Sequence, residues 1–188
     1  YMADRLIKDN PGGRGGFYLD DYERLMADLQ ADSGPKILLG VSYALWDLSE
    51  KHPLRLEDTV IMETGGMKGR REELTKQPFH ALLDGAFGVG QIHSEYGMAE
   101  LSSQAYSSGG GFFVPPPWMR VAVRDPNDPF DVSFDDDRTG AVNIIDLANL
   151  SSCAFIQTQD LGRTFAGGFY ILGRADRSEI RGCNLLVQ

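Results

Sequence analysis

At 188 residues, with 18 Lys and Arg against 27 Asp and Glu for a net charge of -9, the chain is one typical domain or two small ones, large enough to be held by burial alone. That balance leaves no basic face to neutralise a phosphate backbone, which argues against nucleic acid while leaving room for a single nucleotide. No apolar run of about 18 residues spans a membrane and no leader pattern opens the chain, and two cysteines, Cys153 and Cys183, make neither a disulfide framework nor a zinc site, so a reducing cytoplasm is expected.

The chain opens on Tyr1 rather than on methionine, as a trimmed tag or a piece of a longer protein would. From Lys36, "KILLGVSYAL" is an apolar strand-like run leading into a helical stretch, "WDLSEKHP", stopped by Pro53. "DTVIMETGG" repeats the theme, a buried strand ending in a turn at Gly65 and Gly66. "REELTKQPFHALLDGAFG" reads as a helix begun or kinked at Pro78 and closed by Gly85 and Gly88. "GQIHSEYG" is a further short strand, and "MAELSSQAY" reads as one or two helical turns. Strands alternating with helices predict βαβ units, with the ends of three strands on one edge of a parallel sheet, where ligands lie in such folds.

After Tyr106 the pattern changes to short strands, "MRVAV", "GAVNIIDL", "AFIQTQDLG" and "GGFYILGRADR", separated by Pro, Asn, Asp and Gly clusters. The predicted fold is therefore α/β: a partly parallel sheet with helices over residues 1–107, then a mainly antiparallel β subdomain over 108–188, joined at "SSGGG". The acidic run Asp135 to Asp137 reads as a solvated turn, and Cys153, inside "LSSCAFIQ", as core.

Three segments carry chemistry, each expected at a strand end. In "ETGGMKGR" the paired glycines let the backbone approach a flat ligand, and Lys68 with Arg70 face an anion; a glycine turn before a solvated helix start is the plainer reading. In "HSEYGMAELSSQ", Tyr96 is placed to stack on a base, Gly97 permits the turn, and Glu100 offers oxygen to Mg²⁺, against the alternative of a core tyrosine with a surface glutamate. In "IQTQDLGRTFAGGFYILGRADRSEIRG", Asp160 ends a strand as an aspartate gripping a ribose diol would, and a hairpin brings Arg174 to the same rim. Singly, a turn aspartate and an exposed arginine are commonplace.

The ordered set "ETGG", "EYGMAE", "TQDLG" and "GRADRSEIRG" resembles the adenylate-forming enzymes over about residues 35 to 188, most closely the acyl-protein synthetase (LuxE-like) and phenylacetate-CoA ligase-like branch. The resemblance implies a C-terminal piece of the large domain, with ATP and Mg²⁺ as substrate and cofactor. Adenine would pack between the Gly65–Gly66 loop and Tyr96–Gly97, Glu100 would meet Mg²⁺-ATP, and Asp160 with Arg174 would hold the ribose; Asp176 would be the hinge. Ala99 stands where the family has a phosphate-contacting threonine, Gln159 replaces a glycine, and the family's phosphate loop is not recognisable, "NPGGRGG" lacking its hydroxyls and lysine. The 188 residues alone are therefore expected to be inactive.

The activity implied is ATP-dependent conversion of a carboxylic acid, a fatty acid in that branch, to an acyl-adenylate, then transfer to a thiol to give a thioester. The acceptor implied is Cys183, which passes the acyl group to a partner reductase; Arg181 nearby favours its thiolate, while "CNLLV" equally suits a packed strand end. The alternatives are transfer to coenzyme A, as in acyl-CoA ligases, and a non-catalytic nucleotide-binding or interaction module.

Overall fold

The computed structural model describes residues 2–174 except Pro11, Gly13, Lys68 and Glu73. Four helices are present among these residues, α1 (Met2–Lys8), α2 (Tyr22–Ala31), α3 (Ser42–Lys51) and α4 (Lys76–Phe87). Strands β1 (Lys36–Val41), β2 (Thr59–Thr64), β3 (Ile92–Tyr96) and β4 (Ala105–Ser107) form one sheet in that order. Strands β5 (Phe112–Phe113), β6 (Met119–Arg124), β7 (Val132–Ser133), β8 (Thr139–Asp146), β9 (Phe155–Phe165) and β10 (Gly168–Arg174) form a second, ordered β5-β10-β9-β8-β6-β7.

In the first sheet β1, β2 and β3 run parallel, with Leu38 beside Ile61 and Ile61 beside Ile92, and β4 returns antiparallel along β3. This is the predicted α/β arrangement, and the carboxyl ends of three strands share one edge. Side chains alternate across a strand, so Leu38, Ile61 and Ile92 point together to one face. There they meet Leu45 and Leu48 of α3 and the Phe79–Leu83–Phe87 stripe of α4, whose spacing of four keeps it on one side of the helix. Each fully buried side chain of this kind contributes roughly 1.5–3 kcal/mol over its exposed state.

Helix termini follow local chemistry. Asp21 caps α2 by accepting from Arg24 N at 3.1 Å. Pro78 stands in the first turn of α4, as a proline at a helix start does, where an N–H has no intrahelical acceptor. Gly88 closes α4 in the left-handed conformation, φ 67°, donating to Asp84 O at 2.7 Å.

The second sheet is antiparallel throughout, as expected from the short strands and turn clusters. Ala166 and Gly167, at φ 43° and 82°, make the two-residue turn joining β9 to β10, the backbone signs that match strand twist in a tight hairpin. Its core consists of Phe113, Met119, Val142, Ile144 and Phe169, and Leu101 and Ala105 from the first sheet's last connection and strand join it.

Three local expectations are corrected. "MAELSSQAY" forms no helix: residues 98–104 are turn and bend, followed by β4. Asp160 does not end a strand, since β9 runs unbroken from Phe155 to Phe165 with a register shift against β8. Cys153 is exposed, in the turn before β9, with Sγ 3.0 Å from Phe155 O. The acidic run lies in the turn between β7 and β8, where Ser133 donates to Asp135 and Arg163 pairs with Asp137.

Candidate active site

The carboxyl edge of the parallel strands assembles the site from short polar links. β2 ends at Thr64 and is followed by Gly65, at φ 70°, a backbone sign that favours glycine, and Thr64 Oγ1 donates to Glu95 Oε1 at 3.1 Å, tying the end of β2 to the end of β3. A Cβ added at Gly66 would meet nothing within 4 Å, so its backbone face is open to a flat ligand. A Cβ at Gly97 would stand 3.2 Å from Gln104 Cγ, which explains a glycine immediately after Tyr96.

Tyr96 bridges the two sheets. Its ring packs at 5.8 Å from Phe113 and edge-on at 5.3 Å from Phe169, within the second core. Its hydroxyl donates to Asp160 Oδ2 at 2.7 Å, across 64 residues of chain. Burial first, then the Asp160 charge and hydrogen bond, hold the phenol protonated well above its ordinary value, so it acts as a fixed donor.

The β9–β10 pairing sets Arg174 opposite Asp160. The guanidinium Nε stands 3.9 Å from Oδ1, and Nη2 donates to Gln159 Oε1 at 3.2 Å. The Asp160 side chain is 19% exposed, and Oδ1 carries no hydrogen bond among the described residues. A carboxylate with one oxygen anchored and one without a hydrogen bond among the described residues has acceptor capacity left for hydroxyl donors such as a ribose diol.

Gly65, Gly66, Tyr96, Gly97, Asp160 and Arg174, separated by up to 109 residues, are thus placed on or beside one edge, with a direct Tyr96–Asp160–Arg174 chain. Glu100 stands apart: its side chain is exposed and unpartnered among the described residues, while its carbonyl accepts from Asn149 Nδ2 at 2.8 Å. A lone carboxylate fits Mg²⁺, which takes one or two protein carboxylates and completes its shell with substrate phosphates and water. The Arg70 guanidinium lies 4.6 Å above the Tyr43 ring. Lys68, Asp176, Arg181 and Cys183 lie outside the described residues.

Sequence reasoning missed the charged centre beneath this edge. Glu63 is fully buried, accepts from Ser42 Oγ at 2.8 Å, and pairs with Lys76 Nζ. His80 Nε2 lies 3.6 Å from Oε1 and 3.3 Å from Ser94 Oγ. Burial pushes the Glu63 carboxyl up, but His80, Lys76 and Ser94 outweigh it and hold it down at about 2. The same Ser42 hydroxyl lies 3.4 Å from the carbonyls of Thr64 and Gly65, so the cluster also supports the glycine turn.

Comparison with protein-family models and with curated proteins returns no match. Solved structures do match. Over 81% of this chain, o-succinylbenzoate CoA synthetase (MenE) from Bacillus subtilis, in complex with its acyl-adenylate intermediate, superposes at a TM-score of 0.54 with 18% identity. The chain shares its fold with part of that solved structure. A fatty acyl-adenylate ligase, from a study of those of E. coli and L. pneumophila, matches over 84% of this chain at a TM-score of 0.56 with 12% identity. The McyG A-PCP complexed with phenylalanyl-adenylate matches over 82% at 0.51, with 18% identity. The chain spans 42%, 37% and 33% of the respective matched chains. No helix among the described residues is long and apolar enough to cross a membrane.

Proposed function

We propose that the protein carrying this chain activates a carboxylic acid with ATP, forming an acyl-adenylate that is then handed to a thiol. The observation that carries the reading is the Tyr96–Asp160–Arg174 chain: a carboxylate half-anchored by a phenol from one sheet and faced by an arginine in register across a hairpin of the other. Its position at the carboxyl edge of parallel strands, where Gly66 has open space among the described residues, is where such folds take nucleotides. The matched structures with bound acyl-adenylates support it.

In this reading Asp160 and Arg174 hold the ribose, Tyr96 and the glycine turn border the adenine, and Glu100 holds Mg²⁺, which neutralises phosphate charge when bound. A carboxylate oxygen of the acid bonds to the α-phosphorus, and the bond from that phosphorus to the bridging oxygen breaks, releasing pyrophosphate. A thiolate then attacks the acyl carbon, forming a thioester and expelling AMP. Catalysis here is placement and charge stabilisation. We assign the acceptor to Cys183, which would pass the acyl group to a partner reductase, with direct transfer to coenzyme A as the alternative, and the acid to the fatty class.

The route of the oxygen tests the reading. With an ¹⁸O-labelled acid, the complete gene product is expected to deliver one labelled oxygen to AMP. Label that appears in inorganic phosphate instead, or AMP that stays unlabelled, refutes attack at the α-phosphorus.

A further inference from the structure

The connection from β3 to β4 carries Glu100 yet has no helix or strand of its own, so something else must set its path. Apart from a local turn in which Leu101 N donates to Met98 O at 3.1 Å, the backbone groups of Glu100, Ser102 and Ser103 are held by the "DLAN" stretch, residues 146–149, which ends β8 and opens the turn to β9. Asp146 is fully buried and faces no cation among the described residues; its charge is balanced by neutral donors. Oδ2 accepts from the backbone N–H of Ser102 and of Ser103, both at 2.9 Å, and Oδ1 accepts from Ser103 Oγ at 2.7 Å and Ala148 N at 3.1 Å. Burial raises its carboxyl, and these donors overcome that and hold it below its ordinary value.

Asn149 completes the grip. Its Nδ2 donates to Glu100 O at 2.8 Å and to Cys153 O at 2.9 Å, and its Oδ1 accepts from Ser152 Oγ at 2.8 Å and Ser102 Oγ at 3.3 Å. All four hydrogen-bonding positions of the amide are used. The indole of Trp118 donates to Ser103 Oγ at 2.9 Å, adding a third holder from the same sheet. Leu101, between the held residues, is buried in the second core. The Glu100 side chain is exposed and makes no hydrogen bond or ion pair among the described residues, so its direction follows this held backbone.

We propose that Asp146 and Asn149 are positioning residues for Glu100: the β8–β9 turn of the second sheet moulds the segment 100–103 and thereby aims the Glu100 carboxylate at the Mg²⁺ it would hold. The inference rests on the functional reading above. It adds a positioning role to the antiparallel sheet, which already carries Asp160 on β9 and Arg174 on β10.

The test is a Mg²⁺ titration of ATP–pyrophosphate exchange by the complete gene product, wild type against Asn149→Asp, which keeps the amide's shape and replaces its donors with acceptors facing two carbonyls. The half-saturating Mg²⁺ concentration is expected to rise at least tenfold, with the rate at saturating Mg²⁺ within about threefold of wild type. A variant that is merely less stable loses maximal rate with folded fraction and leaves half-saturation where it was; that outcome overturns the proposal. Should Asn149→Asp not fold, Asn149→Ala removes the same bonds without adding a charge and takes its place. Amide hydrogen exchange at Ser102 and Ser103 supplies a reading without substrate: it is expected to accelerate at least tenfold in Asp146→Ala, which removes the acceptor of both amides, and unchanged protection overturns the clamp. Absence of exchange activity in the wild type, by contrast, overturns the functional reading and this inference with it.

Discussion

Replacing Glu63 with glutamine probes the buried charge beneath the site. The substitution keeps shape and volume but removes the anion that Lys76 and His80 face, and turns one carboxylate oxygen into an amide donor among donors. The folded carboxyl sits at about 2 against an ordinary value of 4.5. At about 1.4 kcal/mol per tenfold, that difference corresponds to about 3 kcal/mol of stability at neutral pH, at the lower end of the roughly 3–5 kcal/mol that breaking a buried pair costs. Because the folded value is depressed, this stability is fully present above pH 4.5 and is lost as pH falls from there toward 2. Urea unfolding of wild type and Glu63→Gln at pH 7 is expected to show a gap of about 3 kcal/mol, and the same pair at pH 3 a clearly smaller one. A glutamine variant as stable as wild type at pH 7, or a gap that does not close in acid, would refute the reasoning.

Three further outcomes follow from the same geometry. Tyr96→Phe deletes the 2.7 Å bond to Asp160 while leaving the ring among Phe113 and Phe169; hydrogen bonds to charged groups are worth about 1.5–3 kcal/mol, so the KM for ATP in the complete protein should rise at least tenfold, and a smaller change in a well-folded variant counts against the ribose assignment. Gly140→Ala would put a Cβ 2.4 Å from the carbonyl oxygen of Arg124; backbone cannot yield cheaply, and a loss of about 1–3 kcal/mol is expected in the denaturation midpoint, whereas Gly66→Ala, with open space at the same atom, should leave stability within about 1 kcal/mol. Mass spectrometry after incubation with ATP and acid should find the acyl adduct on Cys183, and an adduct that survives in Cys183→Ser would move the acceptor elsewhere.

The parts of this fold legible in the sequence are those written in short-range pattern. Val60 to Met62 before Gly65, and Phe79, Leu83 and Phe87 along α4, announce strand and helix by their spacing, and their packing follows. The hairpin that pairs Asp160 with Arg174 was visible for the same reason, a turn of Ala166 and Gly167 between two β-rich runs. What was not legible depends on distant partners. "MAELSSQAY" has helix-forming residues, but Asp146 and Asn149, more than 40 residues on, take its backbone N–H and carbonyl groups and leave no ladder to form. Glu63 looked like one letter of a glycine turn because Ser42, Lys76 and His80 approach it from two different helices with no common period. Cys153 follows the β8–β9 turn rather than the strand, so an apolar neighbourhood in sequence became an exposed position in space.

The central claim is that the site turns over an acyl-adenylate, and pyrophosphate exchange measures that step alone. The complete gene product, given labelled pyrophosphate, ATP, Mg²⁺ and a panel of fatty and aryl acids, is expected to move label into ATP only when an acid it accepts is present, and Asp160→Ala should reduce that exchange at least tenfold. Exchange no higher than background across the panel, or exchange indifferent to Asp160→Ala in a folded protein, would contradict the account.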